Sequence, residues 1–168
     1  YMTLETLFHE LSHSLGPGSI VVDGRPTTVS AELKEIAGAA EEAKADVMGA
    51  YNILFMMDKG ELPKAERSQL FASYTAGVFR AVRFGAGEAH GRAAALLWDP
   101  AAKRFRVDEA ARQAGLTSLL AELIKLQGDG DYAGMNAFFD KYAKLDPEAE
   151  TVIATLKDIP VDIAPVYP

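Results

Sequence analysis

The chain has 168 residues, 49% hydrophobic and 24% charged, which suits one domain with a substantial core. Its 17 basic and 24 acidic side chains leave a net charge of −7, the wrong sign for a nucleic-acid groove. Without cysteine it has neither disulfides nor a thiolate metal site. No apolar run approaches the roughly eighteen residues that span a bilayer, and no signal-peptide pattern opens the sequence. The cytoplasm is the expected compartment, with the periplasm or the exterior as the alternative if a leader precedes this segment.

The first predicted helix covers residues 3–15 and is stopped by Gly16, Pro17 and Gly18. It contains His9, Glu10, Leu11, Ser12 and His13, the pattern HExxH. Positions i and i+4 share a helix face, so the two imidazoles can converge on one cation with Glu10 beside them. A zinc hydrolase needs that set: neutral nitrogens as ligands, an open position for water, and a carboxylate to take the water's proton. An HExxH match alone also fits a solvated helix face. Two of the chain's three histidines stand in the motif.

Residues 19–28 read either as a short hairpin turning at Asp23-Gly24, with Pro26 confined to an edge, or as an irregular loop. Ser30 is a plausible N-cap for one long helix reaching about residue 57. That helix carries Glu41, Glu42, Ala43, Lys44, Ala45 and Asp46. Glu42 and Asp46 are again i and i+4, so one carboxylate can ligate the metal while the other accepts the second ring N–H of a ligating histidine. Glu41 points about 100° away and reads as surface charge, or as a further supporting acceptor. Val47, Tyr51, Leu54 and Phe55 form an apolar stripe expected to face the core.

Beyond Gly60, Pro63 is expected to open a helix with Leu70, Tyr74, Gly77, Val78 and Val82 at helical spacing. Residues 84–87 break the pattern with two glycines whose spacing fits no nucleotide-binding loop. His90 follows, near a helix start that continues over 93–98. Residues 103–107 suggest a short strand or extended link, and Asp108 can cap a brief helix. An amphipathic helix over 116–126 ends at an acidic Gly-Asp-Gly turn that lacks EF-hand spacing. A helix over 131–145 should turn Met135, Phe138, Phe139 and Tyr142 inward. Asp146-Pro147 starts a last helix, and prolines force an extended tail over 160–168. The expected fold is mainly α: a multi-helix domain with the HExxH helix packed against the long EExxAD helix, and little or no β.

HELSH followed by EEAKAD resembles the two helical motifs of the dipeptidyl peptidase III family of zinc metallopeptidases. HELSHSLGPG, EEAKADVMGAYNI, EAHGRA and IPVDIAPVYP extend the likeness to its short bacterial branch over nearly the whole chain. The resemblance implies Zn2+ held by His9, His13 and Glu42, with Glu10 as general base. It also implies Asp46 as a support of the ligands and His90 as the histidine that helps polarise the substrate carbonyl. Relative to eukaryotic members the first motif is one residue shorter, and Ala94 stands where they have an arginine; Arg92 lies on a different helical face.

The family likeness further implies that residues 1–168 form a single helical catalytic domain, the C-terminal fragment of a two-lobed protein. Its partners would be a peptide substrate and the missing N-terminal lobe, which supplies much of the cleft; neither nucleic acid nor membrane is expected. The implied activity is that of a gluzincin, a dipeptidyl-peptidase-like exopeptidase acting on short peptides. Two alternatives use the same metal: a zinc-stabilised binding module without catalysis, and a hydrolase of a non-peptide amide or ester.

Overall fold

The computed structural model describes residues 1–82, 109–143 and 147–155. His90, the glycine turn at 84–87, the elements expected over 93–98 and 103–107, the caps at Asp108 and Asp146, and the tail at 160–168 lie outside them.

Helix α1 spans Met2–His13, and the chain leaves it through Gly16 at φ 86, a conformation that glycine adopts without steric cost. Strands β1 (Ser19–Val22) and β2 (Arg25–Thr28) then form the hairpin, antiparallel with Val22 opposite Arg25. Asp23 and Gly24 both take positive φ, 50° and 76°, as a two-residue turn of the hairpin type requires. In this two-stranded sheet each strand is an edge, so Pro26 costs no ladder bond that the sheet needs.

The helix expected from Ser30 to residue 57 is two helices. Thr28 ends the strand in extended conformation, and its side chain accepts a hydrogen bond from the Ala31 N–H at 3.2 Å. Thr28, not Ser30, therefore caps α2 (Val29–Leu33). At Lys34 the backbone swings to φ 53, a 3₁₀ turn covers Lys34–Ile36, and α3 runs from Ala37 to Lys59. The break buries Val29, Leu33 and Ile36, and that packing outweighs the helix-forming tendency of the sequence around Lys34.

Helix α3 is the centre of the molecule, packed by α1 on one side and by α5 (Glu109–Gly128) on another. Ala40, Ala43, Val47, Ile53, Leu54 and Met57 are buried along it. Phe55, expected in that stripe, is 46% exposed, with the Lys59 ammonium 5.3 Å from its ring centre. It sits about 100° round the helix from Leu54, past the edge of the buried arc. Gly60 at φ 82 closes the helix, its N–H bonding back to Met57.

A 3₁₀ turn after Pro63 leads into α4 (Arg67–Val82), from which Leu70 and Phe71 enter the core. Helix α5 begins at Glu109, so the brief helix and the helix expected over 116–126 are joined as one. Leu116, Leu120 and Leu123 recur at helical spacing on its buried side. Asp131 accepts from the Gly134 N–H at 2.8 Å and caps α6 (Tyr132–Tyr142), which buries Met135, Phe138 and Phe139. Tyr142, expected inward, is 40% exposed because it falls in the final turn, where its ring lies tilted against Phe138 at 5.1 Å instead of entering the core. Helix α7 covers Pro147–Thr155. Among the described residues the fold is thus mainly α, with one small hairpin.

One contact decides how closely α1 and α3 approach. A Cβ on Gly49 would lie 3.0 Å from the His9 amide nitrogen and 3.2 Å from the Phe8 carbonyl carbon, both backbone atoms that cannot swing aside. Alanine in a free helix position would stabilise by about 1 kcal/mol relative to glycine. At Gly49 the sign should reverse: Gly49→Ala is expected to lower stability by about 1–3 kcal/mol in urea denaturation, as overpacking does. A stabilised variant would show that the helices are further apart than described.

Candidate metal centre

Helix α1 turns His9 and His13 towards α3, which presents Glu42 with Glu41 and Asp46 on either side. The His9 and His13 Nε2 atoms are 3.0 Å apart, with their rings nearly perpendicular. Glu42 Oε2 lies 3.2 Å from His9 Nε2 and 3.9 Å from His13 Nε2. Among the described residues these three form a group whose ligand atoms all fall within 4.8 Å of one another.

The opposite edge of each ring fixes its tautomer. His9 Nδ1 donates to Asp46 Oδ1 at 2.8 Å, and His13 Nδ1 donates to Glu41 Oε1 at 2.9 Å. Carboxylates only accept, so in the neutral imidazoles the proton sits on Nδ1 and the lone pair on Nε2. Two nitrogen lone pairs and a carboxylate oxygen therefore point at one small volume. Zinc bonds of about 2.0–2.1 Å in tetrahedral array place donors about 3.3 Å apart. Two of the separations are close to that, and a modest turn of the Glu42 carboxylate brings in the third.

Charge at the site follows from these contacts. The hydrogen bond to Asp46 raises the His9 pKa; burial opposes it, and the charges of Asp46, Glu42 and Glu10 add to the rise. The net shift is upward, so a proton competes with a cation for this ring. For Glu41, burial pushes the carboxyl up, but hydrogen bonds from Lys44 and His13 outweigh it and hold the group below the ordinary carboxylate range.

Glu10 projects from α1 on its exposed side, next to His9 in sequence and near enough to act on its charge. His90 lies outside the described residues, so the structure brings together His9, His13, Glu41, Glu42 and Asp46, with Glu10 on the flank. Sequence reasoning passed over three neighbours. Lys44 is buried, with Nζ 2.7 Å from Glu41 Oε1. Gln127 of α5, also buried, places Nε2 3.4 Å from Glu41 Oε2. The Tyr74 hydroxyl is buried close to Asp46 and Glu5; burial raises its pKa well above the ordinary range and both carboxylates add. For Lys44 the available signal was its place three residues after Glu41, on the same helix face. For Gln127 and Tyr74, contributed by other helices, no local pattern existed.

No protein-family model matches the sequence. Among curated proteins, Nudix hydrolase 3 of Arabidopsis thaliana is 36% identical over 176 residues, which is 97% of this chain and 23% of that protein. Among solved structures, DPP III from Caldithrix abyssi is 39% identical with a TM-score of 0.90, covering 98% of this chain and 34% of that one. The dipeptidyl-peptidase III of Corallococcus sp. strain EGB is 36% identical, also with a TM-score of 0.90, over 98% of this chain and 33% of that one. Fold and site together define a mainly helical protein in which two packed helices bear a His/His/Glu group able to hold a metal ion. Within that class the chain is similar, over nearly its whole length, to about a third of each of the two dipeptidyl peptidase III structures. It spans about a third of the length of these solved structures and about a quarter of the curated relative.

The Tyr74 hydroxyl has no hydrogen-bond partner among the described residues. Removing a buried donor that lacks a partner is neutral or favourable. Tyr74→Phe should therefore leave unfolding free energy unchanged or raise it by up to about 1 kcal/mol in urea titration. A clear loss of stability would reveal a partner for the hydroxyl.

Proposed function

We propose that this chain is the zinc-bearing catalytic domain of a metallopeptidase, the C-terminal part of a two-lobed protein, that releases dipeptides from short peptides. The observation that carries the reading is the convergence of His9 Nε2, His13 Nε2 and Glu42 Oε2 while carboxylates occupy both Nδ1 edges. His9, His13 and Glu42 are the ligands, leaving a position open as catalytic zinc sites do. When bound, the ion supplies a Lewis acid and a water whose pKa is lowered to near neutrality.

The chain's own residues do the rest. Asp46 and Glu41 hold the rings in orientation and tautomer, which also makes Nε2 a better donor. Glu10 takes the proton from the attacking water on its carboxylate and passes it to the departing amine. His90 donates a hydrogen bond to the oxygen of the carbonyl under attack, a role carried over from the family motif EAHGRA. The peptide itself is bound largely by the remaining two-thirds of the protein.

The names of the relatives differ in the reaction they describe, although both are hydrolases. The peptidase reading is preferred on two grounds. The two solved structures match over nearly all of this chain at a TM-score of 0.90, whereas the Nudix name describes a protein of which this region is less than a quarter. The His/His/Glu group with an adjacent glutamate is also suited to adding water to a carbonyl.

Elemental analysis of the full-length protein tests the metal. One zinc per chain is expected, lost in His13→Ala and in Glu42→Ala; a wild-type protein that takes up no zinc when supplied with it overturns the site. Steady-state hydrolysis tests the base. Glu10→Gln should keep zinc and lose turnover by about 10²–10⁴-fold, the usual contribution of a positioned acid–base group. Undiminished turnover would remove Glu10 from the mechanism. Zinc at full occupancy with no cleavage across a broad peptide panel would favour a metal-stabilised binding module.

A further inference from the structure

We propose that Lys44 is a positioning residue of the metal centre: its ammonium clamps Glu41 to the end of α1 and so fixes the orientation and tautomer of His13. The inference rests on the zinc reading above and adds a residue that neither helical motif specifies.

The geometry is that of a clamp. Lys44 Nζ donates to the Leu15 carbonyl at 2.7 Å and lies 2.7 Å from Glu41 Oε1. Leu15 is the second residue after His13, in the stretch where α1 has ended and carbonyls have no intrahelical donor. The lysine stem reaches it by running beneath the turn at Gly16, where a Cβ would stand 3.4 Å from Lys44 Cδ. Glu41 Oε1 is at the same time the acceptor for His13 Nδ1 at 2.9 Å, and Oε2 is 3.4 Å from Gln127 Nε2. Glu41 is thereby held from α1, α3 and α5 at once.

A lysine that is 1% exposed has given up nearly all its hydration, and a fold tolerates that only where the charge is paired and hydrogen-bonded. Here it also offsets part of the negative charge gathered by Glu10, Glu41, Glu42 and Asp46. An ionised Glu41 can only accept, so His13 must carry its proton on Nδ1 and present Nε2 to the metal. Without the clamp, the Glu41 carboxylate is free to rotate off the ring, and the imidazole samples the other tautomer.

The test uses the full-length protein. Zinc affinity is measured by competition with a chromophoric chelator for wild type, Lys44→Met, Lys44→Arg, Glu41→Gln and the Lys44→Met/Glu41→Gln double variant. Loss of a group that orients a metal-bound histidine weakens binding about 10–100-fold, and Lys44→Met should fall in that range. Lys44→Arg should restore most of the affinity. The double variant should bind no more weakly than the poorer single one, because both act through one chain of contacts. In parallel, imidazole ¹⁵N shifts of the zinc-free protein should report one Nδ1–H tautomer for His13 in wild type and a mixture in Lys44→Met.

Wild-type zinc affinity in folded Lys44→Met, losses that add in the double variant, or an unchanged His13 tautomer would each overturn the clamp. A merely stabilising ion pair would lower the melting temperature and leave zinc affinity and the His13 tautomer unmoved. If Lys44→Met does not fold, Lys44→Gln replaces it with the same expected and overturning outcomes. Failure of the wild type itself to bind zinc would sink the zinc reading and the clamp together, whereas wild-type binding with an indifferent Lys44 sinks the clamp alone.

Discussion

The site depends first on how closely two helices can lie. His9 and His13 project from α1 and Glu41, Glu42 and Asp46 from α3, and side chains of this length meet around one small volume only if the backbones almost touch. Gly49 provides that approach, with His9 and Phe8 main-chain atoms standing where its Cβ would be. The buried Ser12 hydroxyl fits the same seam, donating to the Phe8 carbonyl at 2.6 Å and accepting from Asn52 at 3.4 Å. Small groups at the crossing thus set the position of large polar groups at the crossing and up to two turns along α3, and packing precedes chemistry in this fold.

Electrostatics then explains why the crossing needs more than shape. Four carboxylates close to two histidines repel one another, and the hydrogen bond to Asp46, with the charges around it, already raises the His9 pKa. Such a cluster is tolerable when protons, cations or hydrogen-bond donors are interleaved with it. The structure supplies donors at fixed places: His9 to Asp46, His13 and Lys44 to Glu41, Gln127 behind them. What remains on the inner side is an arrangement of acceptors, complementary to a divalent ion in both charge and spacing.

Much of this was legible in the sequence because it is periodic. The i, i+4 spacing of His9 with His13 and of Glu42 with Asp46 follows from helix geometry alone, and so did the two faces that meet. The hairpin was legible as one of two readings, since Asp23-Gly24 suits the turn but Pro26 spoke against a strand. The break at Lys34 was not legible, because a lysine at positive φ is dictated by burying Leu33 and Ile36 from opposite sides of a bend and by no local propensity. Phe55 and Tyr142 were misplaced for a related reason: periodicity says which residues share an arc, while the neighbours decide how wide the covered arc is and where it stops. Lys44 reads as a solvated charge in any single-helix view. Only the end of α1, brought across it by tertiary packing, turns it into a buried donor.

The exposure of α1 bears on how such a site would work. Its inner face is covered by α3, yet Leu7 and Leu11, four residues apart on another face, remain about half exposed, and Glu10 is exposed as well. A general base is most effective when its surroundings are dry enough to hold its pKa near the working pH and to strengthen the field of a nearby cation. The described residues orient the His9 and His13 rings and leave Glu10 exposed. Relatives of this chain are about three to four times as long. Among the described residues the hydrogen bonds to Asp46 and Glu41 fix the geometry of the His9 and His13 rings, a task that the packing of two helices achieves, whereas proton transfer by Glu10 would need an enclosure that these residues do not supply.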